Sequence, residues 1–352
     1  MSQPLRILQV APLWFPVRPD TAGREQIVYL IAHELLARGH GVTLVATGDS
    51  AKLGRLVAVC PGAIITAMEK GLIDEYSYYE AAAIADALGH ANDVDLVHSH
   101  IDCQLLPFSH LFPVPVVHTI HNHISRDMAW LARRFPDSNF VTVGYHLAGA
   151  LEGLPSVTTI PNGIDIEAFP FGATPQGYLL FLGRLVPSKG PEIAIQVAKA
   201  LRQPLIIAGS IGNRRFFEEA ILPQVDGDLV RYVGPVTGAD KTNLLKNAAV
   251  LLFPTMVEEA FGLVMVEAMA CGTPVVALRR GAVSEIVKPD VNGFYAAQPG
   301  ELPELVRKTY DLDRAEVRRS VEHRFSHRRM VDEYLALYQE VLGERAGEKI
   351  PH

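Results

Sequence analysis

The chain has little cysteine, no long apolar run and no excess of positive charge, and each shortage removes a class of protein. Cys60, Cys103 and Cys271 are its three cysteines among 352 residues, an odd number without metal-ligand spacing. Neither a disulfide framework nor a zinc module suits that pattern, and a reducing, cytoplasmic compartment is expected. No apolar stretch approaches the roughly 20 residues of a bilayer span, and residues 1–12 lack the charged and then apolar build of a signal segment. The protein is expected to be soluble, with at most peripheral membrane contact. A formal net charge of −7 offers no general attraction to nucleic acid, so no nucleic-acid partner is expected. Two cofactor motifs are missing as well. The Gly-x-Gly-x-x-Gly of a dinucleotide site occurs neither in Leu8-Gln-Val-Ala-Pro-Leu-Trp14 nor in Gly183-Arg-Leu-Val-Pro-Ser188, and there is no P-loop.

What is present is apolar residues in a regular order. At 49% hydrophobic the chain is long enough for two domains, each with its own core. Leu5 to Ala11 reads as a buried first strand, then comes a Pro-rich loop, then a helix carrying Ile27, Val28, Ile31, Leu35 and Leu36 at helical spacing and ending at Gly39. Val42–Thr47, Asp95–His98, Pro115–Ile120 and Phe140–Val143 continue as strands with helical segments between. A second series starts at Tyr178–Gly183 and runs through Leu205–Ala208, Val230–Val233, Val250–Phe253 and Pro274–Ala277. Strand and helix alternating at these intervals predict an α/β protein of two doubly wound parallel sheets. The predicted domains are 1–165, 166–328 and, as a C-terminal helix returning to the first domain, 329–352. Turn-rich segments between Pro161 and Gly177 mark the join.

The most informative stretch is Pro254 to Val276. It sets Glu259 and Glu267 around an Ala-Phe-Gly turn, where a strand hands over to a helix that stops at Gly272. Open α/β sheets bind ligands at the carboxyl ends of their strands, and a carboxylate there can accept from a pair of ribose or sugar hydroxyls. A helix starting at Gly262 brings free N–H groups and a positive dipole end between the two acids, which suits an anionic ligand bearing hydroxyls. The first strand of the second domain leads into Arg184, Lys189 and a helix beginning at Pro191, a fork, a point charge and a dipole converging on a diphosphate. Such fixed cations can neutralise a departing nucleoside diphosphate without a metal. Asp93-Val-Asp95 sits at the amino end of a strand and Asp311-Leu-Asp313 in a segment read as helical surface, so neither is expected to bind metal.

The first domain offers Gly23 at the start of its first helix, either as a backbone approach to phosphate or acceptor or as a tight turn. His98-Ser-His100 and His118-Thr-Ile-His121-Asn-His123 end two strands. Imidazoles at alternate positions share one face, yet no carboxylate or cysteine completes a compact set, and no metal is expected. His121, just past its strand, is the candidate to touch a reacting sugar.

At these residues the chain resembles the retaining glycosyltransferases of family 4, which have the GT-B fold of two Rossmann-like domains facing across a cleft. The likeness runs over nearly the whole chain. It rests on Glu259 to Pro274, similar to the family's paired-glutamate motif, on Gly183-Arg-Leu with Lys189-Gly, on Pro161-Asn-Gly-Ile-Asp165 and on Pro115 to His121. Val45 to Ser50 and Phe181 to Pro191 are most similar to the subgroup containing the avilamycin-pathway enzyme. The resemblance implies that Glu267 binds ribose, that Arg184 and Lys189 hold the diphosphate, that Phe261, Gly262 and Leu263 belong to the donor site with backbone N–H groups of the last two turned to phosphate or sugar, and that Glu259 and His121 orient the sugar. It also implies a nucleoside-diphosphate sugar as donor, UDP- or GDP-linked, no cofactor, and a small-molecule, glycan or lipid-linked acceptor. The chain departs from the family at Ala22-Gly23, where two glycines are usual, at Ala260, where proline is common, and at Arg280 to Glu285. A nucleotide-sugar epimerase and a non-catalytic nucleotide-sugar binder are the competing readings.

Overall fold

Apolar runs of four or five residues between loops form strands buried on both faces when helices cover each side of a sheet. The structure, a computed structural model, describes residues 3–348. Among these, strands β1 (Arg6–Val10), β2 (Gly41–Thr47), β3 (Arg55–Cys60), β4 (Leu96–Ser99), β5 (Val116–Ile120), β6 (Asn139–Thr142) and β7 (Val157–Thr159) make a parallel sheet of order β3-β2-β1-β4-β5-β6-β7. Strands β8 (Leu179–Leu182), β9 (Leu205–Ala208), β10 (Val230–Tyr232), β11 (Val250–Phe253), β12 (Val275–Leu278) and β13 (Gly293–Ala296) make a second, of order β10-β9-β8-β11-β12-β13. Each sheet reverses its order once, between β1 and β4 and between β8 and β11, and it is outside the carboxyl ends of such neighbours that α/β sheets open a crevice.

The chain divides into two units. One runs from the N-terminus to Gly163 and takes in the C-terminal segment from His327; the other is Ile164–Ser326. In the first unit, helix Arg24–Ala37 buries Ile27, Val28, Leu30, Ile31 and Leu35, and the C-terminal helix His327–Glu348 packs beside it. Tyr334 and Tyr338 of that helix are fully buried, and Arg38 pairs with Asp332. In the second unit, Leu179, Phe181, Ile195, Ile207, Leu252 and Val276 belong to one apolar cluster. No helix among the described residues is long and apolar enough to cross a membrane.

Three strands lie outside the expected set: β3, β7 and β13, all at sheet edges. An edge strand is covered less than a central one, so β3 and β7 are short on continuous apolar sequence and mostly half-exposed. One helical segment expected between strands is located and one local expectation is corrected. The segment after His121 contains helix Arg126–Arg134, capped by the Ser125 hydroxyl accepting from Met128 N. Asp311 and Asp313 lie in a turn, where the Asp313 carboxylate accepts from Ala315 N and caps helix Arg314–Glu322.

Candidate active site

In the second unit, two loops at the carboxyl edge of neighbouring strands are stitched together. After β8 the chain runs past Arg184 to Lys189 and turns at Gly190, whose φ of 68° is left-handed. Glycine is required there twice over, because a Cβ would also collide with the Pro254 carbonyl beyond β11. Met256 N and the Thr255 hydroxyl both donate to Ser188 O, at 2.9 and 3.3 Å. Gly190 ends the loop and Pro191 opens helix Pro191–Leu201, a first-turn proline with no N–H to waste. Arg184 is exposed, its aliphatic stem lying over Gly212.

The two glutamates of the Pro254–Val276 run have different surroundings. Glu259 is about one-fifth exposed and ion-paired with Lys189, and its backbone carbonyl accepts from Ala282 N at 3.0 Å. Glu267 is 2% exposed and takes the Lys241 ammonium at 2.6 Å. Lys241, on helix Gly238–Asn247, was not among the residues singled out from sequence. Nothing in its local pattern distinguishes it from a solvated helix lysine, since the partner is 26 residues away. Between the acids, Gly262 caps helix Leu263–Ala270 with φ 87° and ψ 62°, and no side chain caps the helix. Its first N–H groups therefore lack the usual side-chain acceptor, and the dipole end is positive. Phe261 is 5% exposed and meets Phe325 edge-on at 5.6 Å, so its ring anchors the turn in the core and the backbone is what this residue can present to a ligand.

In the first unit, Gly23 (φ 83°) caps helix Arg24–Ala37. The carboxyl edge of β4 and β5 is organised by Asp102, a residue that sequence reasoning passed over. It is 4% exposed, with φ 50°, a left-handed conformation uncommon outside glycine and found where surrounding bonds enforce it. Its Oδ1 accepts from the backbone N–H of His121 and Asn122 at 2.7 and 3.2 Å, and its Oδ2 from the Asn122 amide at 2.7 Å and the Arg24 guanidinium at 3.1 Å. One carboxylate thus ties the start of the first helix to the turn bearing His121. Signal for it in the sequence amounts to one acid two residues past a strand-end histidine.

His121 continues into a set of buried imidazoles. His100 Nδ1 lies 3.0 Å from His121 Nε2, and the His98 ring lies tilted against His100 with centroids 3.9 Å apart. His98 is bonded on both sides, to Thr119 Oγ1 and to the Tyr338 hydroxyl, each at 2.7 Å. Burial, with neighbouring imidazoles and Arg24 adding to it, holds His98 and His121 well below the ordinary histidine range and His100 at about 3. Burial alone takes His118 to about 3. Neutral imidazoles of this kind hydrogen-bond and do not trade protons near pH 7. Among the described residues no group of three or more His, Cys, Asp or Glu side chains is arranged to hold a metal ion. Above the same edge, burial also raises Glu25, which is 3% exposed, and Glu80.

Two family models divide the chain between them. Residues 21–168 match the family-4 glycosyltransferase model and residues 165–323 the model of glycosyl transferases group 1. The chain is a family-4-type glycosyltransferase. Relatives include the D-inositol 3-phosphate glycosyltransferase of Saccharomonospora viridis, 26% identical over 97% of this chain and 94% of the relative. The Mycolicibacterium smegmatis enzyme of the same name is 26% identical over 96% and 90%. Among solved structures, AviGT4, a glycosyltransferase involved in avilamycin A biosynthesis, is 24% identical, with a TM-score of 0.70 over 97% of this chain and 99% of its own. HepE of Anabaena, solved with UDP and glucose, is 20% identical, with a TM-score of 0.74 over 95% and 99%. With these neighbours the two α/β units are those of the GT-B fold. In this family-4-type glycosyltransferase, Arg184, Lys189, Glu259 and Glu267, with Phe261, Gly262 and Leu263, all belong to the second unit, while Gly23 and His121 belong to the first.

Proposed function

We propose that the enzyme is a retaining glycosyltransferase of the cytoplasm that moves a hexose from a UDP- or GDP-sugar to an acceptor hydroxyl and uses no metal ion. The observation that carries the reading is the assembly at the carboxyl edge of β8 and β11. There Lys189 pairs with Glu259, whose side chain lies beside Gly262 at a helix N-terminus without a side-chain cap, on loops braced by Gly190 and Ser188; Arg184 lies in the same loop as Lys189, and Glu267 on the helix that Gly262 opens. A nucleoside diphosphate carries the matching groups: a diphosphate for Arg184, Lys189 and the N–H groups of Gly262 and Leu263, and ribose hydroxyls for Glu267. HepE was solved with UDP-glucose as well as with UDP, which supports a nucleotide-sugar donor here.

In this mechanism the bond from the sugar's anomeric carbon to the diphosphate oxygen breaks and a bond to the acceptor oxygen forms on the same face. The acceptor's proton passes to the departing diphosphate. The charge that grows on the leaving group is met by Arg184, Lys189 and the helix dipole, groups already in place before the reaction. Lys189 shares itself with Glu259 in the free enzyme, so donor binding redistributes that pair. Glu259 is then released to accept from sugar hydroxyls, and His121 bonds the sugar from the first unit. The first unit's segments 12–24 and 121–134, with Trp14, Phe15, Trp130, Arg133 and Arg134, select a small-molecule, glycan or lipid-linked acceptor.

Replacing both cations, Arg184→Ala with Lys189→Ala, tests the donor assignment. Turnover of a panel of nucleotide sugars is expected to fall by about 100-fold or more, the scale of losing a preorganised charge contact in the transition state. Unchanged turnover removes the diphosphate role. NMR of the product at the anomeric position tests the stereochemistry, and an inverted product rejects the retaining mechanism.

A further inference from the structure

The function proposed above uses only the last member of the imidazole series, and the member behind it has a bonding problem that only one arrangement solves well. His98 has both ring nitrogens engaged. His100 is fully buried and has one partner, His121 Nε2, at its Nδ1; His121 is 7% exposed. The two remaining nitrogens, His100 Nε2 and His121 Nδ1, are screened from solvent without a protein partner.

A neutral imidazole carries one N–H, and the bond between these rings uses one hydrogen. If His121 Nε2–H donates, His100 must carry its own hydrogen on Nε2, a donor stranded at a fully buried residue. If His100 Nδ1–H donates, His100 keeps only a bare acceptor there, and the unspent donor moves to Nδ1 of His121, the more open residue. Each arrangement leaves one donor and one acceptor unspent, and a stranded donor is the more costly the less its residue can reach a partner. In the second arrangement the spare donor is Nδ1 of His121, itself buried in this structure but on the residue of the pair that reaches the surface, and an orphan polar atom in such a place can persist for a ligand.

We propose that His100 is a positioning residue that holds His121 as its Nδ1–H tautomer, so that His121 meets the transferred sugar as a hydrogen-bond donor to one of its oxygens. This rests on the reading of His121 as a sugar contact. Asp102 fixes the backbone of His121, and His100 fixes which of its nitrogens carries the hydrogen. His121 is then neither a general base nor a ligand for a cation.

The test begins with ring-15N-histidine enzyme and a long-range 1H–15N correlation, with His121 and His100 assigned from the His121→Gln and His100→Asn variants. His121 is expected to show a protonated Nδ1 and a bare Nε2; the reverse pattern overturns the proposal. Kinetics supply the second arm. His100→Leu removes the donor and is expected to lower kcat about tenfold with little change in donor KM, the loss expected when a bond acts chiefly in the transition state. His100→Asn keeps an N–H close to the original Nδ1 and should recover most of the rate. Equal losses in both variants, or wild-type kinetics in His100→Leu, count against a tautomer role. The spectrum needs no substrate. An enzyme with the Nδ1–H form that transfers no sugar therefore fails the function proposed above and leaves the tautomer assignment standing.

Discussion

Acidification should unfold the first unit well before ordinary carboxylates are titrated. His98, His100, His118 and His121 are 0–7% exposed and all lie in that unit, and burial keeps each neutral to far below pH 6. In the unfolded chain they return to an ordinary value near 6.5. The unfolded state then binds more protons than the folded one, so stability rises with pH across this window and falls as pH drops through about 6.5. Between pH 7.5 and 5.5 each such group forfeits about 1.4 kcal/mol, and the four together about 5 kcal/mol. Glu25 and Glu80, raised by burial, act the other way: each loses stability as pH rises from its unfolded value through its folded one, so each recovers some on acidification. About 5 kcal/mol is therefore an upper figure, against a typical total of 5–15 kcal/mol for a domain. The chain's two tryptophans, Trp14 and Trp130, are both in the first unit, with Trp14 stacked on Tyr76 at 4.5 Å, so urea unfolding followed by tryptophan fluorescence reads that unit alone. Its midpoint should fall steeply from pH 7.5 to 5.5, and His118→Gln should remove about a quarter of the slope. A pH-independent midpoint over this range would refute the claim that these imidazoles are buried and neutral.

Other consequences follow from single contacts. Lys241→Ala strands the Glu267 carboxylate in the core of the second unit; calorimetry should show a loss of about 3 kcal/mol, largely regained when Glu267→Gln is added, because the buried charge is then gone. Gly190→Ala must place a Cβ against the Pro254 carbonyl at a left-handed φ, and a Tm drop equivalent to about 2 kcal/mol or more is expected; an unchanged Tm would show the loop to be freer than drawn. Tyr338→Phe leaves His98 Nδ1 without its 2.7 Å partner and should lower the first unit's stability by about 1–2 kcal/mol in the same fluorescence assay.

Central strands were legible because a parallel strand covered on both faces is mostly apolar, as β1 and β5 are, and as β11 is throughout. Glycines at 39, 262 and 272 were legible as punctuation for a related reason: a left-handed turn has few other residues to choose from. Three edge strands, β3, β7 and β13, were not legible, since an edge strand is held by one neighbour and needs no such run, whereas the edge strand β10 was read as Val230–Val233. The bounds of the Arg126–Arg134 helix were hidden too, because four arginines or aspartates and one exposed tryptophan in nine residues show no clear start until Ser125 is seen capping them.

Composition and period alone determined the two α/β sheets, the turn between the glutamates and the presence of cations after β8, because these depend on neighbours in the chain. Partnership was decided by the tertiary structure. Lys189 with Glu259, Lys241 with Glu267, Asp102 with the His121 turn and Tyr338 with His98 join residues 19 to 240 positions apart. No local pattern encodes such pairs. They exist because the sheet order brings β4 beside β5 and β8 beside β11, and because a buried charge or imidazole is tolerable only where the fold delivers it a partner.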